Sequence, residues 1–439
     1  LFLLLGSVFI NFRLGKLIAS NKDKRILVVG VCFNLLLLAY YKYAGFFVSN
    51  IISLGFDISI SSPVLPLAIS FFTFQQIAFL VDVYRGKIKI GGAQEYGLFV
   101  VFFPQLIAGP IVHYRDLQPQ FLKITEGRLL PKYGQGFMYL AIGLLKKLYI
   151  ADSLADYVNP IFAISDSGLD VDPILALIGW LGYTMQLYFD FSAYGDMALG
   201  LGLLLGIQLP INFNSPYKAH SIIDFWHRWH ITLGAFLRDY LYIPLGGSRN
   251  GELRKYLSLF ITMLLGGLWH GAAWTFVFWG ALHGLMLTIN HGLNLLYARL
   301  GIPNNKLISD CGILFTFLGV SLSWMFFRSE TFTGAVNILT ALPDVINITK
   351  ESLIMFKINN TLDLYAAFTT LFQALFIAFV CPNSHTIVSY LYKKTKPYHV
   401  LFLDLSGKPL SATLCGMVFF IIGKELLAVP SADFLYFNF

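Results

Sequence analysis

Charge is scarce in this chain. Of its 439 residues only 13% are Asp, Glu, Lys or Arg, against roughly 25% in a typical soluble domain. So few charges cannot cover a globular surface of this size, which argues against a soluble enzyme. Cysteine is scarce too. Cys32, Cys311, Cys381 and Cys415 lie far apart, in or beside apolar stretches, and no CxxC or CxxH spacing occurs. Neither a disulfide framework nor a metal site built on thiolates is indicated. Periodic charge and low-complexity runs are also missing, which excludes disorder, collagen and coiled coil. Apolar residues, by contrast, are abundant: 56% of the chain is hydrophobic, 41 residues are Phe, and mean hydropathy is +0.67. The chain reads as lipid-embedded. Its net charge of +7 does not call for nucleic acid, because Lys and Arg collect in the cytoplasmic loops of membrane proteins.

A spanning helix needs about 20 mostly apolar residues. Such segments fall near 26–47, 63–83, 133–150, 173–192, 257–271, 275–297, 310–327, 363–381 and 410–428, and residues 1–12 read as the end of a further span. The expectation is an all-α polytopic membrane protein with about ten spanning helices. Leu1 lies inside an apolar run and is not Met, so the sequence is expected to begin partway through a longer chain. Basic residues cluster at Arg13–Arg25, Arg85–Lys89, Lys218–Lys255, Arg299–Lys306 and Lys393–Lys396, whereas the 151–172 connection is purely acidic. Alternation puts the basic loops in the cytoplasm and both ends of the sequence outside. Lys146 and Lys147, near an outer end, fit this pattern poorly.

Three stretches break the simple count. Residues 96–112 are apolar but flanked by basic loops on both sides, and Pro104, Gly109 and Pro110 interrupt a regular helix, so a re-entrant segment is expected. Residues 197–209 are apolar but short and read as another partial crossing. Residues 210–250 mix aromatic with charged side chains and are too polar to span; interfacial or buried helices on the cytoplasmic side are expected. No internal repeat and no separable soluble domain is evident. The 328–362 connection is the longest polar outer segment and the best candidate for a small external feature.

Ionisable groups at membrane depth are costly and usually face a cavity or a partner. Three clusters qualify. His270, in Gly266-Gly267-Leu268-Trp269-His270-Gly271, lies at the junction of two spans with no charge within ten residues on either side. An imidazole there can take a proton near neutral pH; equally, it can be a packing histidine bonded to a backbone carbonyl. The second cluster is Asp224-Phe225-Trp226-His227-Arg228-Trp229-His230, continuing through Arg238 to Gly247. His227 and His230, three apart, can share a helix face, but no HExxH accompanies them and metal binding is a weak reading. Basic residues beside aromatic rings suit an anionic ligand or an interfacial anchor. The third cluster is Gln186–Asp196, where Asp190 and Asp196 can orient a histidine, line a polar path or pair with a buried Arg. Structural pairing is favoured over proton transport.

At these residues the sequence resembles the membrane-bound O-acyltransferases, and among them the bacterial alginate O-acetyltransferase branch. The resemblance is carried by Phe71–Gln75, Phe102–Ile111, Gln186–Asp196, Asp224–Gly247, Leu264–Trp274 and Trp324–Arg328, with an aromatic ending Phe434–Phe439, and covers nearly the whole chain. It implies one domain over 1–439, built of spanning, re-entrant and interfacial helices around a central tunnel, in the bacterial inner membrane. It implies His270 as the catalytic histidine and puts His230, preceded by Trp229, at the second functional position. Trp229, Arg238, Asp190, Asp196 and Trp269 are the candidate substrate-binding residues. The implied reaction moves an acetyl group from a thioester donor, acetyl-CoA, toward a hydroxyl of an extracytoplasmic polysaccharide, with a periplasmic partner protein commonly completing the transfer. His270 acts as general base, and His230 or a nearby donor orients the acyl group or stabilises the oxyanion. No bound cofactor, metal or nucleic acid is called for, and lipid surrounds the chain. Two alternatives stand beside this reading: a D-alanyl or other acyl transferase fed by a carrier protein, and a transporter that uses the histidines and carboxylates as a path. A transporter would be favoured by inverted repeats, of which the sequence has none.

Overall fold

The computed structural model describes residues 2–56, 63–106, 109–249, 251–301, 306–347 and 363–393. All regular structure among them is helical. The span expected at 410–428, the aromatic ending 434–439, Lys394, Lys396 and Cys415 lie outside the described residues, as do residues 348–362 of the polar outer segment. Contacts divide the described chain into two compact units, one from residues within 1–140 and 197–211, the other from residues within 141–196 and 212–396.

The first unit begins with α1 (Phe2–Asn21), α2 (Lys24–Leu38), α3 (Ala44–Ser53) and α4 (Ile69–Tyr84). Asp23 caps α2 by accepting from the Arg25 N–H at 2.8 Å. A π turn at Ala39–Tyr43 carries α2 into α3 without a break, giving one helical run, Lys24–Ser53. Buried amides tie three of these helices together. Asn11 Nδ2 donates to Asn34 Oδ1 (3.1 Å) and Asn34 Nδ2 returns a bond to Asn11 Oδ1 (2.6 Å). Asn11 also bonds Gln76, whose Nε2 donates to Ser7 Oγ at 3.1 Å. Between apolar helices, such paired amides satisfy groups that lipid cannot.

The 96–112 stretch is interrupted, as the prolines suggested. Helix α5 (Ala93–Val101) stops at an extended Phe102, α6 (Phe103–Leu106) makes a single turn, and the next helix among the described residues is α7 (Tyr114–Thr125). Gln105 Nε2 donates to the Phe99 carbonyl at 2.7 Å and satisfies the backbone at the break. The nine residues of α5 rise about 13 Å, less than half of a ~30 Å hydrocarbon core.

Two expected boundaries are corrected. Helix α8 (Tyr133–Leu145) passes through a π turn, Lys146–Asp152, into α9 (Ser153–Asp166), so the acidic connection shrinks to the residues after Asp166. Helix α10 runs unbroken from Pro173 to Leu204, so residues 197–204 continue the preceding helix and are not a separate partial crossing. The cause is the same in both places. Carboxylates that looked like loop charges are paired inside the structure with Lys146 and Lys147.

The second unit continues with α11 (Ile222–Arg228), α12 (Ile231–Leu237), α13 (Glu252–His270), α14 (Trp274–Leu300), α15 (Lys306–Arg328) and α16 (Phe332–Ala341). It ends in α17 (Leu364–Phe379) and α18 (Ser384–Lys393), which meet at a bend of 57°. The start of the expected external segment is thus helical: α16 packs on α9, where Ser165 Oγ donates to the Gly334 carbonyl at 2.6 Å. Among the described residues, three helical runs are long and apolar enough by themselves to cross a membrane: Phe2–Asn21, Lys24–Ser53 and Lys306–Arg328. The bent α17–α18 pair makes a fourth if taken as one span. Helices α10, α13 and α14 have the length but not that apolarity: α10 carries Asp190 and Asp196, α13 carries Glu252, Arg254 and Lys255, and α14 carries His283, Asn290 and His291.

Candidate active site

His270 is the last residue of α13, and only Gly271–Ala273 separate it from α14. The two helices form a tight hairpin because glycines face each other across it. A Cβ on Gly267 would stand 2.9 Å from the Gly280 Cα and closer still to the Phe276 carbonyl oxygen. Small residues of this kind let membrane helices approach backbone to backbone. The imidazole is buried, at 5% exposure, in a cage of rings. Trp269 lies 4.9 Å away edge-on, Trp279 5.3 Å away at 90°, and Phe327 of α15 5.1 Å away at 70°.

His230 sits in a loop between two short helices and not on a helix face. Ser221 caps α11, its side chain accepting from Asp224 N–H at 3.1 Å, and Arg228 pairs with Asp224 at 2.8 Å. The helix ends at Arg228, Trp229 is extended, and His230 takes a left-handed conformation at φ 41°. A non-glycine residue there is strained. Asn212 supplies the compensation. Its Oδ1 accepts from Thr232 N–H (3.1 Å), from Thr232 Oγ (2.9 Å) and from His230 Nδ1 (3.2 Å), while its carbonyl accepts from Ile231 N–H at 3.0 Å. The Thr232 amide can only donate, so it fixes which end of the Asn212 amide is oxygen. That oxygen in turn requires the proton on His230 Nδ1, leaving Nε2 with its lone pair. Burial pushes the His230 imidazolium down to about 3. His227, by contrast, is exposed, so the two histidines do not share a face as their spacing suggested.

His230 and His270 belong to one aromatic stack. His230 packs on Phe191 and Phe213, Phe213 on Trp229, Trp229 on Trp324 (5.0 Å), Trp324 on Trp279 (5.4 Å), and Trp279 on His270. The Trp324–Arg328 motif therefore serves two ends: Trp324 and Phe327 enter the stack, while Arg328 donates to Asn159 Oδ1 at 3.3 Å.

Asp190 and Asp196 lie in a separate charged cluster. Lys147 Nζ bridges Asp190 Oδ1 (2.9 Å) and Asp152 Oδ1 (2.8 Å). Lys146 Nζ meets Asp196 Oδ2 at 2.7 Å, and Ser384 Oγ donates to the same oxygen at 2.5 Å. These side chains are at most 15% exposed. The partner expected for the carboxylates was an arginine; the partners are the two lysines that fitted the loop-charge pattern poorly. Arg238 lies on the surface, its side chain 62% exposed and paired with Asp239 at 2.7 Å. Of the residues singled out in the sequence, the stack thus gathers His270, Trp269, His230 and Trp229; Asp190, Asp196 and Arg238 stand elsewhere.

Sequence reasoning missed Asn212, Trp279, Ser323 and His283. His283 is fully buried in α14, with Nε2 2.9 Å from Ser323 Oγ and Nδ1 3.3 Å from Trp226 Nε1. A signal was available, since His283 is an ionisable residue inside the span expected at 275–297.

Ionisable side chains buried among the helices of a membrane protein are costly and are functional-site candidates by default. The family follows from comparison. Residues 84–311, which include His230, His270 and His283, match the membrane-bound O-acyltransferase family. The chain is 36% identical to a peptidoglycan O-acetyltransferase of Helicobacter pylori, over 100% of this chain and 87% of the relative. It is 42% identical to a probable alginate O-acetylase of Azotobacter vinelandii, over 76% of this chain and 66% of the relative. Against a teichoic acid D-alanyltransferase of Streptococcus thermophilus it is 29% identical, over 60% and 68%. The chain belongs to the membrane-bound O-acyltransferase family and is an acyltransferase, which displaces the transporter reading.

Proposed function

We propose that this acyltransferase moves an acetyl group from a cytoplasmic thioester, acetyl-CoA, to a hydroxyl of an extracytoplasmic polysaccharide such as peptidoglycan or an alginate-like polymer. The observation that carries the reading is His270, a buried imidazole at the turn of a glycine-tightened hairpin, inside the region that matches the family. The names of the relatives at 36% and 42% identity support acetyl as the group and a polysaccharide as the acceptor. D-alanyl transfer from a carrier protein is the second reading, supported by the more distant relative at 29%.

His270 takes the proton of the attacking hydroxyl as its oxygen adds to the thioester carbonyl. The C–S bond then breaks, and the imidazolium of His270 returns that proton to the leaving thiolate, which restores the neutral base. Trp269 and Trp229 wall the reacting groups. Arg238, exposed on the 210–250 segment, suits the phosphates of the donor. Asp190 and Asp196 act through their lysines to hold the helices that frame the site. The chain would form one domain of about ten spanning helices around a tunnel, multi-pass in the bacterial inner membrane with its basic loops in the cytoplasm. A periplasmic partner would complete the transfer.

The test is transfer of radiolabel from acetyl-CoA in membranes holding equal amounts of the wild-type chain or His270→Ala. Label reaching polysaccharide or a partner only with His270 present supports the reading. Equal labelling by both removes His270 as the base.

A further inference from the structure

We propose that His283 is a positioning residue for the transfer, one that ties the helix leading to His230 to the wall of the His270 cage; this rests on the reading of His270 and His230 as the functional histidines. The hydrogen bonds around His283 settle its tautomer. The Ser323 hydroxyl has one proton, and it donates that proton to the Val320 carbonyl at 2.7 Å. Toward His283 Nε2, 2.9 Å away, Ser323 Oγ is left as an acceptor, so Nε2 carries the hydrogen. On the other side, the Trp226 indole N–H can only donate, and it points at Nδ1 from 3.3 Å. Nδ1 is therefore the lone-pair nitrogen. Both edges of the ring are committed, and the two assignments agree.

The committed ring joins three elements. Trp226 belongs to α11, which runs directly into Trp229 and His230. Ser323 belongs to α15, which also supplies Trp324 and Phe327. His283 itself sits one turn beyond Trp279 on α14, with ring centroids 4.6 Å apart, and Trp279 is the ring that meets His270 at 90°. A shift of His283 would move both the approach to His230 and the surface against which His270 rests. Neither nitrogen can serve as a base while Trp226 and Ser323 are held, so its effect on the reaction is through geometry.

The experiment compares kcat and KM for acetyl-CoA in membranes containing wild type, His283→Leu, His283→Asn, Trp226→Phe, the His283→Leu/Trp226→Phe pair and His270→Ala. Small displacements of a reacting group cost up to about a hundredfold in rate. His283→Leu and Trp226→Phe are each expected to lower kcat per folded molecule by about tenfold to a hundredfold, with KM changed by less than about threefold. The double variant should be no worse than the poorer single, because both remove one connection. His283→Asn, whose oxygen can accept from Trp226 near the place of Nδ1, should recover most of kcat. Nitrogen-15 NMR of labelled histidine should show His283 with hydrogen on Nε2 only. Wild-type kcat in Trp226→Phe, multiplied losses in the double variant, or a lowered thermal midpoint with unchanged kcat per folded molecule would each overturn the proposal. His270→Ala separates the two readings: full activity there removes the base assignment, whereas the coupling of Trp226 with His283 is read independently of it.

Discussion

The α13–α14 hairpin gives a direct way to ask whether the position of His270 matters. Gly267→Ala adds a single methyl group three residues before His270. That methyl would lie 2.9 Å from the Gly280 Cα, where carbon atoms pack best at about 3.5–4.0 Å. The helices must therefore part by roughly 0.6–1 Å, and overpacking of this kind costs about 1–3 kcal/mol. The same displacement, carried three residues along a rigid helix to the imidazole, is of the size that costs up to about a hundredfold in rate. Gly280→Ala should behave alike, since its Cβ would stand 3.1 Å from the Gly267 Cα and closer to the Met263 carbonyl. Gly292→Ala is the control: it lies on the same α14, nothing stands within 4 Å of its added Cβ, and higher helix propensity should leave it neutral or better by up to about 1 kcal/mol. Transfer assays at matched abundance, with thermal midpoints alongside, check all three. Wild-type kcat in Gly267→Ala would refute the claim that the close approach positions His270.

Further expectations concern the polar groups. Lys147→Met leaves Asp190 and Asp152 without their shared cation and should destabilise by about 3–5 kcal/mol, while adding Asp190→Leu should recover part of the loss in a thermal unfolding series. Asn212→Ala strips the acceptor from Thr232 and His230 and should cost about 1–3 kcal/mol and lower transfer, with Asn212→Asp retaining more of both. Burial holds His230 at about 3, below its ordinary 6.5. The unfolded chain therefore takes up that proton first, and the stability from a neutral His230 is complete above about pH 6.5 and lost as pH falls toward 3. Between pH 7.5 and 5 the thermal midpoint of wild type should fall more steeply than that of His230→Asn; parallel curves would refute the assignment.

Much of the site could be read from the sequence because its rule is simple: a polar group inside an apolar run needs a reason. That rule found His270, whose neighbours are uncharged for ten residues on either side, and it found Asp190 and Asp196. His283 satisfies the same rule, but no motif surrounds it to set it apart from the rest of its span. The boundaries failed for a different reason. Alternating loop charge assumes that charges near span ends face water, and Lys146, Lys147, Asp152 and Asp196 face one another instead. Pairing across 50 residues, as between Lys146 and Asp196, leaves no trace in local composition. For the same reason the sequence cut α10 at its acidic stretch, whereas the helix continues to Leu204. The left-handed turn at His230 was hidden as well, because Asn212, which holds it, lies 18 residues earlier.

The tautomers sharpen the division of labour among the buried histidines. His283 spends both nitrogens on Trp226 and Ser323. His230 spends Nδ1–H on Asn212 and keeps a lone pair on Nε2. A nitrogen without hydrogen cannot stabilise an oxyanion, which requires a donor. It can accept a hydrogen bond from a hydroxyl or thiol and so orient it. With its imidazolium held near 3, His230 is also a poor match for a general base working near neutral pH. Of the two roles expected at His230 or a nearby donor, orienting the acyl group or stabilising the oxyanion, the second therefore suits the geometry of His230 less well than the role of an acceptor that aligns the nucleophile or the leaving group. Under the proposed function proton removal is assigned to His270, and the developing oxyanion then needs a separate donor, for which the Trp269 indole beside His270 is placed on the right element. Trp269→Phe keeps the ring and deletes only the N–H. Under this division it should lower kcat by up to about a hundredfold with little change in KM, in the range set by loss of a single oxyanion donor. A fall confined to KM would instead make Trp269 a wall of the donor site.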